Sequence, residues 1–391
     1  MAKAIKIESI SNKPLSKRNF LPDITQLKPE QINVLSKPST EDLIVSGPAG
    51  SGKTILAAYR FDDNNKKGLK GRVLVYGNIL KNYLGEKVGS STIKLVPRGI
   101  FEYVKSVSNI SINMALSDSQ KFEDAAQRAG DWAKQYKGSL DFIIIDESQD
   151  FHNGHLDFCG HLAKNLTLFA DDAQKLYKHG SCTTNILGKY WIEHNRKIKR
   201  IDIKGNYRNQ PSVANLASPF YNKRNQEPFS FAELEGENEK VIIFVSSNLD
   251  SLQEYLVRQT KYYVDRVINE TPKIGILVQD SRSMRIAKQY FINNGYNGID
   301  VNDAVDIFNS NHPVLLTMHS AKGLEFDYTI LFNLDYDKLQ ILHPNNFNQI
   351  IFTAITRARK SLSVFIVGEQ NGFLDKIRRE VNNNYYEIQN V

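Results

Sequence analysis

The chain has 391 residues, 41% hydrophobic and 24% charged, which is typical of a globular protein with two or three domains. No apolar run approaches the roughly 20 residues of a membrane-spanning helix, which excludes a membrane protein. The start lacks a signal-peptide core, and Cys159 and Cys182 indicate no disulfide framework, so we expect a cytoplasmic protein. The net charge of +7 permits a polyanionic partner without requiring one.

A helix is predicted to begin shortly before the first buried strand. Pro29 suits the first helical position, and the carboxylate of Glu30 suits the positive helix N-terminus. Gln31 follows, and its amide offers a donor and an acceptor side by side, which can read adenine. A lone surface glutamine usually has no such role, so this interpretation depends on the loop that follows.

The stretch 47–54 has the spacing of a nucleotide-phosphate loop, with an apolar run before it and a helical pattern after it. It consists of Gly47, Pro48, Ala49, Gly50, Ser51, Gly52, Lys53 and Thr54. The glycines let backbone N–H groups turn toward the phosphates, Lys53 reaches the β- and γ-phosphates, and Thr54 offers its hydroxyl to Mg2+. Because every defining position is present, this pattern favours a nucleoside triphosphate site over an ordinary glycine-rich turn.

The next segments predict a strand and a helical region. The run 72–78 reads as a buried strand that ends near Tyr76 and Asn78. Because ligands bind beyond the carboxyl ends of parallel strands, these two side chains are placed to touch one. The segment 101–137 has helical periodicity and many charges, but no obvious chemistry.

Two adjacent carboxylates follow the apolar strand predicted at 142–145. Asp146 can hold Mg2+ through water, and Glu147 can orient and deprotonate an attacking water. An acidic cluster is most often a solvated loop, but the upstream phosphate loop favours a hydrolytic pair. A third strand, predicted at 166–170, places Gln174 where its side chain can sense the γ-phosphate.

The second half repeats the strand and helix alternation without a second phosphate loop. It begins with a short strand at 201–203, and apolar strands follow at 241–245, 274–278, 314–318, 328–332 and 362–367. We therefore predict an α/β fold with two doubly wound parallel-sheet domains, at 1–200 and 201–391. The first domain carries a small helical insert at about 100–140. The second completes a shared site as a lid.

In their order, these segments resemble the motifs of superfamily 1 helicases, and within them the UvrD/Rep-like group. The matching segments are Gln31, 47–54, 76–78, 146–150, 171–174, 206–208, 317–327 and 353–359. The resemblance covers nearly the whole chain and implies two tandem RecA-like domains with ATP bound in the cleft between them. The run from Met318 to Asp327 is especially specific and favours the 3′→5′ group.

The resemblance also implies roles for single residues. Tyr207 would stack on adenine, and Glu325 would hydrogen-bond the ribose. Arg208 and Arg357 would act as arginine fingers, which stabilise charge on the phosphoryl oxygens. The implied contacts with single-stranded DNA are Tyr76, Asn78, His179, Thr317 and His319.

Two departures from the group affect the expected activity. The group carries two large insertions, but here only the small helical insert fits in the first domain. The roughly forty residues between the strand at 274–278 and the motif that begins at Thr317 are too few for the second insertion. His179 also stands where the group commonly has a tryptophan that stacks between bases. Stacking on a full aromatic face is worth roughly 1–3 kcal/mol per base, and an imidazole should give less.

Two functional hypotheses follow. We favour an ATP-driven motor on single-stranded DNA that unwinds duplex weakly on its own, with RNA as a lesser variant. The alternative is an ATP-dependent switch subunit that signals to a partner such as a nuclease or another DNA-processing protein. Stimulation of ATP hydrolysis by DNA separates the two, because a switch should respond to its protein partner instead.

Overall fold

The computed structural model describes residues 24–75, 93–95, 118–176, 180–221, 230–231, 238–266, 272–296, 300–301 and 312–391. These residues form two large parallel β-sheets with flanking helices. The predicted α/β fold with two tandem RecA-like domains is therefore confirmed. Three predicted DNA contacts, Tyr76, Asn78 and His179, lie outside the described residues.

Among the described residues, the first sheet contains six parallel strands. They are β1 (Leu43–Ser46), β2 (Gly71–Val75), β3 (Ile93–Leu95), β4 (Leu140–Ile145), β5 (Ala163–Ala170) and β6 (Lys199–Asp202). Their spatial order is β3-β2-β4-β5-β1-β6. The flanking helices are α1 (Pro29–Leu35), α2 (Lys53–Lys66), α3 (Asp118–Ala133), α4 (Asn153–Leu162) and α5 (Thr183–His194). Short 3-10 helices lie at Ile24–Gln26, Lys134–Tyr136, Ser148–Asp150 and Asp172–Gln174.

Helices cover both faces of this sheet, which explains why its strands are apolar throughout. Side chains alternate between the faces along a strand, so Ile44 packs with α4 and α5 while its neighbour Val45 packs with α1 and α2. Ile143 and Ile144 divide in the same way. The sheet is therefore a central layer, and the carboxyl ends of β1, β4 and β5 are left to carry polar residues.

The second sheet contains seven parallel strands in the part of the chain that the structure describes. They are β9 (Val241–Ser246), β10 (Ile274–Val278), β11 (Asp300–Val301), β12 (Val314–Thr317), β13 (Phe326–Leu331), β14 (Ala358–Val367) and β15 (Tyr386–Asn390). Their spatial order is β11-β12-β10-β13-β14-β9-β15. Its helices are α6 (Pro211–Ala217), α7 (Leu249–Asp265), α8 (Ser281–Asn293), α9 (Tyr336–Leu342), α10 (Phe347–Ile355) and α11 (Gly372–Glu380), with a 3-10 turn at Ser218–Phe220. A separate pair of short strands is β7 (Gly205–Asn206) and β8 (Ser230–Phe231).

One prediction, the placement of a short strand in the second half of the chain, is wrong. The short strand expected at 201–203 in the second half is β6, and it pairs in parallel with β1 of the first sheet, Val45 opposite Ile201. The alternation of strands and helices cannot reveal this, because pairing depends on position in space. The predicted division at 1–200 and 201–391 stays a prediction, and the first sheet runs to Asp202.

The two domains share apolar contacts beside the phosphate loop. Ala49, Ala173 and Leu176 follow strands of the first sheet, yet they pack into the core formed by α6, α10 and the second sheet. Asn346, just before α10, also donates a hydrogen bond from Nδ2 to the carbonyl of Leu176 at 2.8 Å. The cleft between the domains is thus closed on one side by direct packing.

Candidate nucleotide site between the two domains

The stretch 47–54 runs from the end of β1 into the first turn of α2, as the sequence predicts. Gly50 and Gly52 have φ angles of 79° and 85°, in the left-handed region that favours glycine. A Cβ at Gly50 would lie 2.1 Å from Oδ1 of Asn206, and one at Gly52 would lie 2.4 Å from Nε2 of Gln31. The glycines therefore give the loop its turns and also make room for side chains from outside it.

Lys53, at the start of α2, is nearly fully buried inside this loop. Its Nζ donates hydrogen bonds to the carbonyls of Gly47 at 2.7 Å and Pro48 at 2.8 Å, and it lies 3.7 Å from Oδ2 of Asp171. The ammonium of Lys53 is thus held beside the N-terminus of α2, where a phosphate oxygen would be a stronger partner than a neutral carbonyl.

Thr54, in the first turn of α2, and Asp146, directly after β4, meet at the carboxyl edge of the first sheet. Thr54 donates a hydrogen bond from Oγ1 to Oδ2 of Asp146 at 2.9 Å, and Oδ1 of the aspartate is buried without a protein partner among the described residues. Burial, together with the neighbouring Glu147, raises the pKa of Asp146 to about 7. An unpartnered carboxylate oxygen beside a hydroxyl is a donor set that suits Mg2+, which prefers oxygen ligands and would favour the ionised form.

Glu147 follows directly and has a left-handed backbone, with φ of 58°. Its Oε2 accepts a hydrogen bond from Gln149 and lies 3.8 Å from Nζ of Lys322. Burial raises the pKa of Glu147, but the charges of Lys322 and Lys53 outweigh it, so the pKa lies below its ordinary value. The side chain therefore remains a carboxylate, the form that a general base requires.

A chain of polar contacts leads from the phosphate loop to the second domain. Asp171, beside Lys53, accepts a hydrogen bond from Nε2 of Gln174 at 2.7 Å. Oε1 of Gln174 accepts one from Nη2 of Arg357 at 2.8 Å. All four side chains are buried, so the contacts are shielded from solvent.

Arg357 is held in place by the backbone of its own domain. Nε donates to the carbonyl of Thr353 at 2.8 Å, and Nη1 donates to that of Leu324 at 3.0 Å. Burial and the nearby Arg208 lower the pKa of Arg357 to about 10, so it is charged at neutral pH. The guanidinium is thus a fixed, buried positive charge that faces the first domain.

Arg208, the second predicted finger, lies close by in a different arrangement. It forms an ion pair with Glu325 and donates a hydrogen bond from Nη2 to the carbonyl of Thr356 at 3.1 Å, while Nε is buried without a partner among the described residues. Burial raises the pKa of Glu325, but Arg208 and the other arginines outweigh it and lower the pKa overall. The two residues expected to contact γ-phosphate and ribose therefore contact each other.

Gln31 and Tyr207 border the loop from the side of α1. Gln31 donates a hydrogen bond from Nε2 to the carbonyl of Ser51 at 2.9 Å, and its Oε1 accepts one from the backbone of Lys28 at 2.8 Å. Tyr207 donates a backbone hydrogen bond to the carbonyl of Gly50 at 2.9 Å. The structure thus brings together both residues expected at the adenine base.

Of the predicted DNA contacts, Thr317 and His319 are described, and both lie at the end of β12. The hydroxyls of Thr317 and Ser320 are 2.9 Å apart. The ring of His319 lies 5.1 Å from that of His343, and burial together with this neighbour lowers the pKa of His319. Both residues thus lie beside the turn that carries Lys322 toward the first domain.

Lys322 and Asp150 connect the two domains, a pairing that the sequence patterns do not predict. Lys322 forms a buried ion pair with Asp150, and its Nζ also donates to the carbonyl of Gln174 at 2.6 Å. Burial raises the pKa of Asp150 to about 6, against the effect of Lys322. Both residues lie inside the motif segments 146–150 and 317–327, which is the one sequence signal for the pairing. Apart from that, a lysine in a predicted loop indicates a solvated charge.

A group of metal-ligating residues lies outside this cleft. Asp157, Glu193 and His194 bring potential ligand atoms together, but Nζ of Lys189 lies 2.8 Å from Asp157 and 2.5 Å from Glu193. The lysine ammonium thus already forms ion pairs with both carboxylates. This group is therefore a structural charge cluster.

Two family profiles match the chain. The Schlafen group 3 DNA/RNA helicase domain matches residues 41–333, and the UvrD-like helicase C-terminal domain matches residues 312–365. The C-terminal domain of a possible DNA helicase from Lactobacillus plantarum WCFS1 is a similar solved structure, with a TM-score of 0.35 and 17% identity. That match covers 46% of this chain and 97% of the other. No curated protein matches the chain significantly, and none of the described helices is long and apolar enough to cross a membrane.

Proposed function

The chain belongs to the Schlafen group 3 DNA/RNA helicase domain family, and from this premise we propose that it is an ATP-driven motor on single-stranded DNA. Helicase-family membership makes it an ATP-hydrolysing enzyme of the helicase and translocase type. The proposal adds the track and the direction. The two domains close around ATP, open after hydrolysis and move the protein 3′→5′ along one strand.

The observation that carries this proposal is the buried chain of Lys53, Asp171, Gln174 and Arg357. Its first member lies in the phosphate loop, and its last belongs to the second domain. A γ-phosphate that attracts Lys53 would also attract the guanidinium of Arg357. Loss of that phosphate would weaken the hold on the second domain, which is the coupling that a motor needs.

The same geometry supports the proposed hydrolytic roles. Glu147 acts as the general base for the attacking water, and Arg357 and Arg208 stabilise charge on the phosphoryl oxygens. Thr54 and Asp146 would hold Mg2+, which supplies positive charge at the phosphates. Gln174 orients the groups around the γ-phosphate.

We assign the nucleoside end of ATP to Gln31, Tyr207 and Glu325, with the ring of Tyr207 stacked on adenine. Gln31 retains one amide hydrogen and one lone pair beyond its backbone contacts, enough to recognise adenine. A carboxylate accepts about four hydrogen bonds, so the ion pair with Arg208 leaves Glu325 able to bind a ribose hydroxyl.

The proposed track runs past Thr317 and His319 and past the residues Tyr76, Asn78 and His179. The basic balance of the chain, +7, supports a polyanionic track. We further propose that the motor separates duplex poorly by itself and that a DNA-processing partner supplies what it lacks.

The test is the ATPase rate of the purified chain with and without single-stranded DNA, at two salt concentrations. We expect stimulation by DNA that falls as salt rises, because neutralised phosphates release counterions. Single-stranded RNA of the same sequence is the comparison track. A rate that no strand changes would contradict the motor and favour a switch that responds to a protein partner.

A further inference from the structure

Glu30, the second residue of α1, binds the segment that crosses from the first domain to the second. Its carboxylate accepts hydrogen bonds from the backbone of Lys204 at 3.1 Å and of Gly205 at 2.8 Å. The hydroxyl of Tyr207 donates a third, short hydrogen bond to the same carboxylate. Because three groups of the segment donate to this one carboxylate, Glu30 fixes the path of the segment.

The ring of Tyr207 is held on several sides in addition to this contact. It packs half-buried against the apolar cluster of α1, α2 and the first sheet. A Cβ at Gly205 would lie 2.1 Å from the ring, so the ring rests directly against that glycine. The backbone of Tyr207 is bound to Gly50, as described above. The ring is therefore ordered before any nucleotide arrives.

The chain changes domains immediately after this tyrosine. Arg208 is bound to Glu325 and Thr356 of the second domain, and Nδ2 of Asn209 donates to the carbonyl of Thr356 at 3.0 Å. Tyr207 is thus the last residue of the crossing segment that the first domain holds. Its position relative to the phosphate loop depends on α1 and not on closure of the cleft.

We propose that Glu30 is a positioning residue for the base of a purine nucleoside triphosphate, acting through Tyr207. This inference rests on the proposed function, in which Tyr207 stacks on the base. A preordered ring loses less rotational freedom when a base stacks on it, so binding is tighter. Glu30 does not touch the phosphates, and its loss should leave the hydrolytic step unchanged.

The first experiment compares Glu30→Ala with the parent chain in steady-state ATP hydrolysis. We expect KM for ATP to rise by about 3- to 10-fold, the effect of ordering one side chain, with kcat nearly unchanged. Inorganic tripolyphosphate, which has no base, serves as a competitive inhibitor, and its inhibition constant should not change. Glu41→Ala, at a glutamate that forms an ion pair with the exposed Lys199, is the matched control.

Two further variants separate positioning from general damage to the loop. Glu30→Gln keeps an oxygen acceptor and should recover part of the affinity for ATP. Tyr207→Phe removes only the hydroxyl and should raise KM as Glu30→Ala does. The double variant should be little worse than either single one, because both remove the same contact.

The inference is overturned if Glu30→Ala leaves KM for ATP unchanged, or if tripolyphosphate binding weakens as much as ATP binding. Fully additive effects of Glu30→Ala and Tyr207→Phe would also overturn it. Binding of a fluorescent ATP analogue gives the same comparison without turnover. If DNA does not stimulate ATP hydrolysis, the motor is contradicted. The KM and analogue-binding comparisons of Glu30→Ala with the parent chain still decide this inference.

Discussion

Arg357 of the second domain donates a hydrogen bond from Nη2 to Oε1 of Gln174 in the first domain, at 2.8 Å. Both side chains are buried, and Gln174 in turn binds Asp171 beside Lys53 of the phosphate loop. A buried arginine that contacts a residue placed to sense the γ-phosphate is part of the proposed site and not a surface charge. The first prediction tests this relationship directly.

Arg357→Ala should retain ATP binding and lose most of kcat. An arginine finger contributes a factor of roughly a thousand or more to turnover, because charge builds on the phosphoryl oxygens. Arg357→Lys should recover little, since an ammonium cannot replace the planar guanidinium held by Thr353 and Leu324. The measurements are steady-state kinetics and the dissociation constant of a fluorescent ATP analogue.

The matched control is Arg378→Ala, which removes an exposed arginine from α11 of the same domain. It should hydrolyse ATP like the parent chain. The shared-site arrangement is wrong if Arg357→Ala also hydrolyses like the parent.

Glu147→Gln should bind ATP and fail to hydrolyse it. The amide has nearly the shape of the carboxylate but cannot accept the proton of an attacking water. Single-turnover experiments should then recover intact ATP from the protein, whereas the parent chain releases ADP. Recovery of ADP at the parental rate would assign the base to another residue.

Lys53→Ala should abolish ATP turnover by weakening the binding of the phosphates. The lysine supplies the positive charge within the loop. The carbonyls of Gly47 and Pro48, which it contacts, cannot replace it because a carbonyl oxygen does not bind a phosphate. Affinity for the fluorescent ATP analogue should fall together with the rate. This combined loss distinguishes Lys53→Ala from Glu147→Gln, and retention of full affinity would show that Lys53 does not contact the phosphates.

Lys322→Ala should lower stability as well as activity. It would remove the ammonium that forms an ion pair with the fully buried Asp150, and loss of one member of a buried pair costs about 3–5 kcal/mol. The melting temperature, followed by circular dichroism, should fall clearly. The double variant Lys322→Met with Asp150→Asn should recover part of the loss because it removes both charges, and equal melting temperatures for Lys322→Ala and the parent would contradict this account.

Patterns along the chain were sufficient to predict the strands that carry the site. The apolar runs before Gly47, Asp146 and Asp171 are β1, β4 and β5, which lie side by side in the sheet. Parallel strands with buried faces have continuous apolar sequences, and polar residues at their carboxyl ends meet at one edge. The placement of Thr54 against Asp146 follows from that rule.

Contacts made across the cleft were not predictable in the same way. Lys322 and Asp150 are distant in sequence, and neither hydrophobic pattern nor motif spacing indicates that their charges pair. Glu30 gave only a helix-start signal, because the groups that donate hydrogen bonds to its carboxylate belong to the distant crossing segment. Such partners depend on how two folded domains meet, which local sequence does not encode.

The last prediction is that the isolated chain moves along a single strand but separates duplex poorly. Each base-pair step costs about 1.4 kcal/mol to open, so a motor needs a surface that meets the duplex and a firm hold between steps. In the UvrD/Rep-like group, the insertion in the second domain supplies that surface. Here the described residues between β10 and β12 form only α8 and the short β11. His179 in place of a large aromatic should also weaken the hold on each base.

We therefore expect ATP-dependent displacement of a protein block from single-stranded DNA, without efficient unwinding of a 3′-tailed duplex in excess ATP. A matched 5′-tailed duplex checks the direction, and robust unwinding of a few tens of base pairs by the chain alone would refute this prediction.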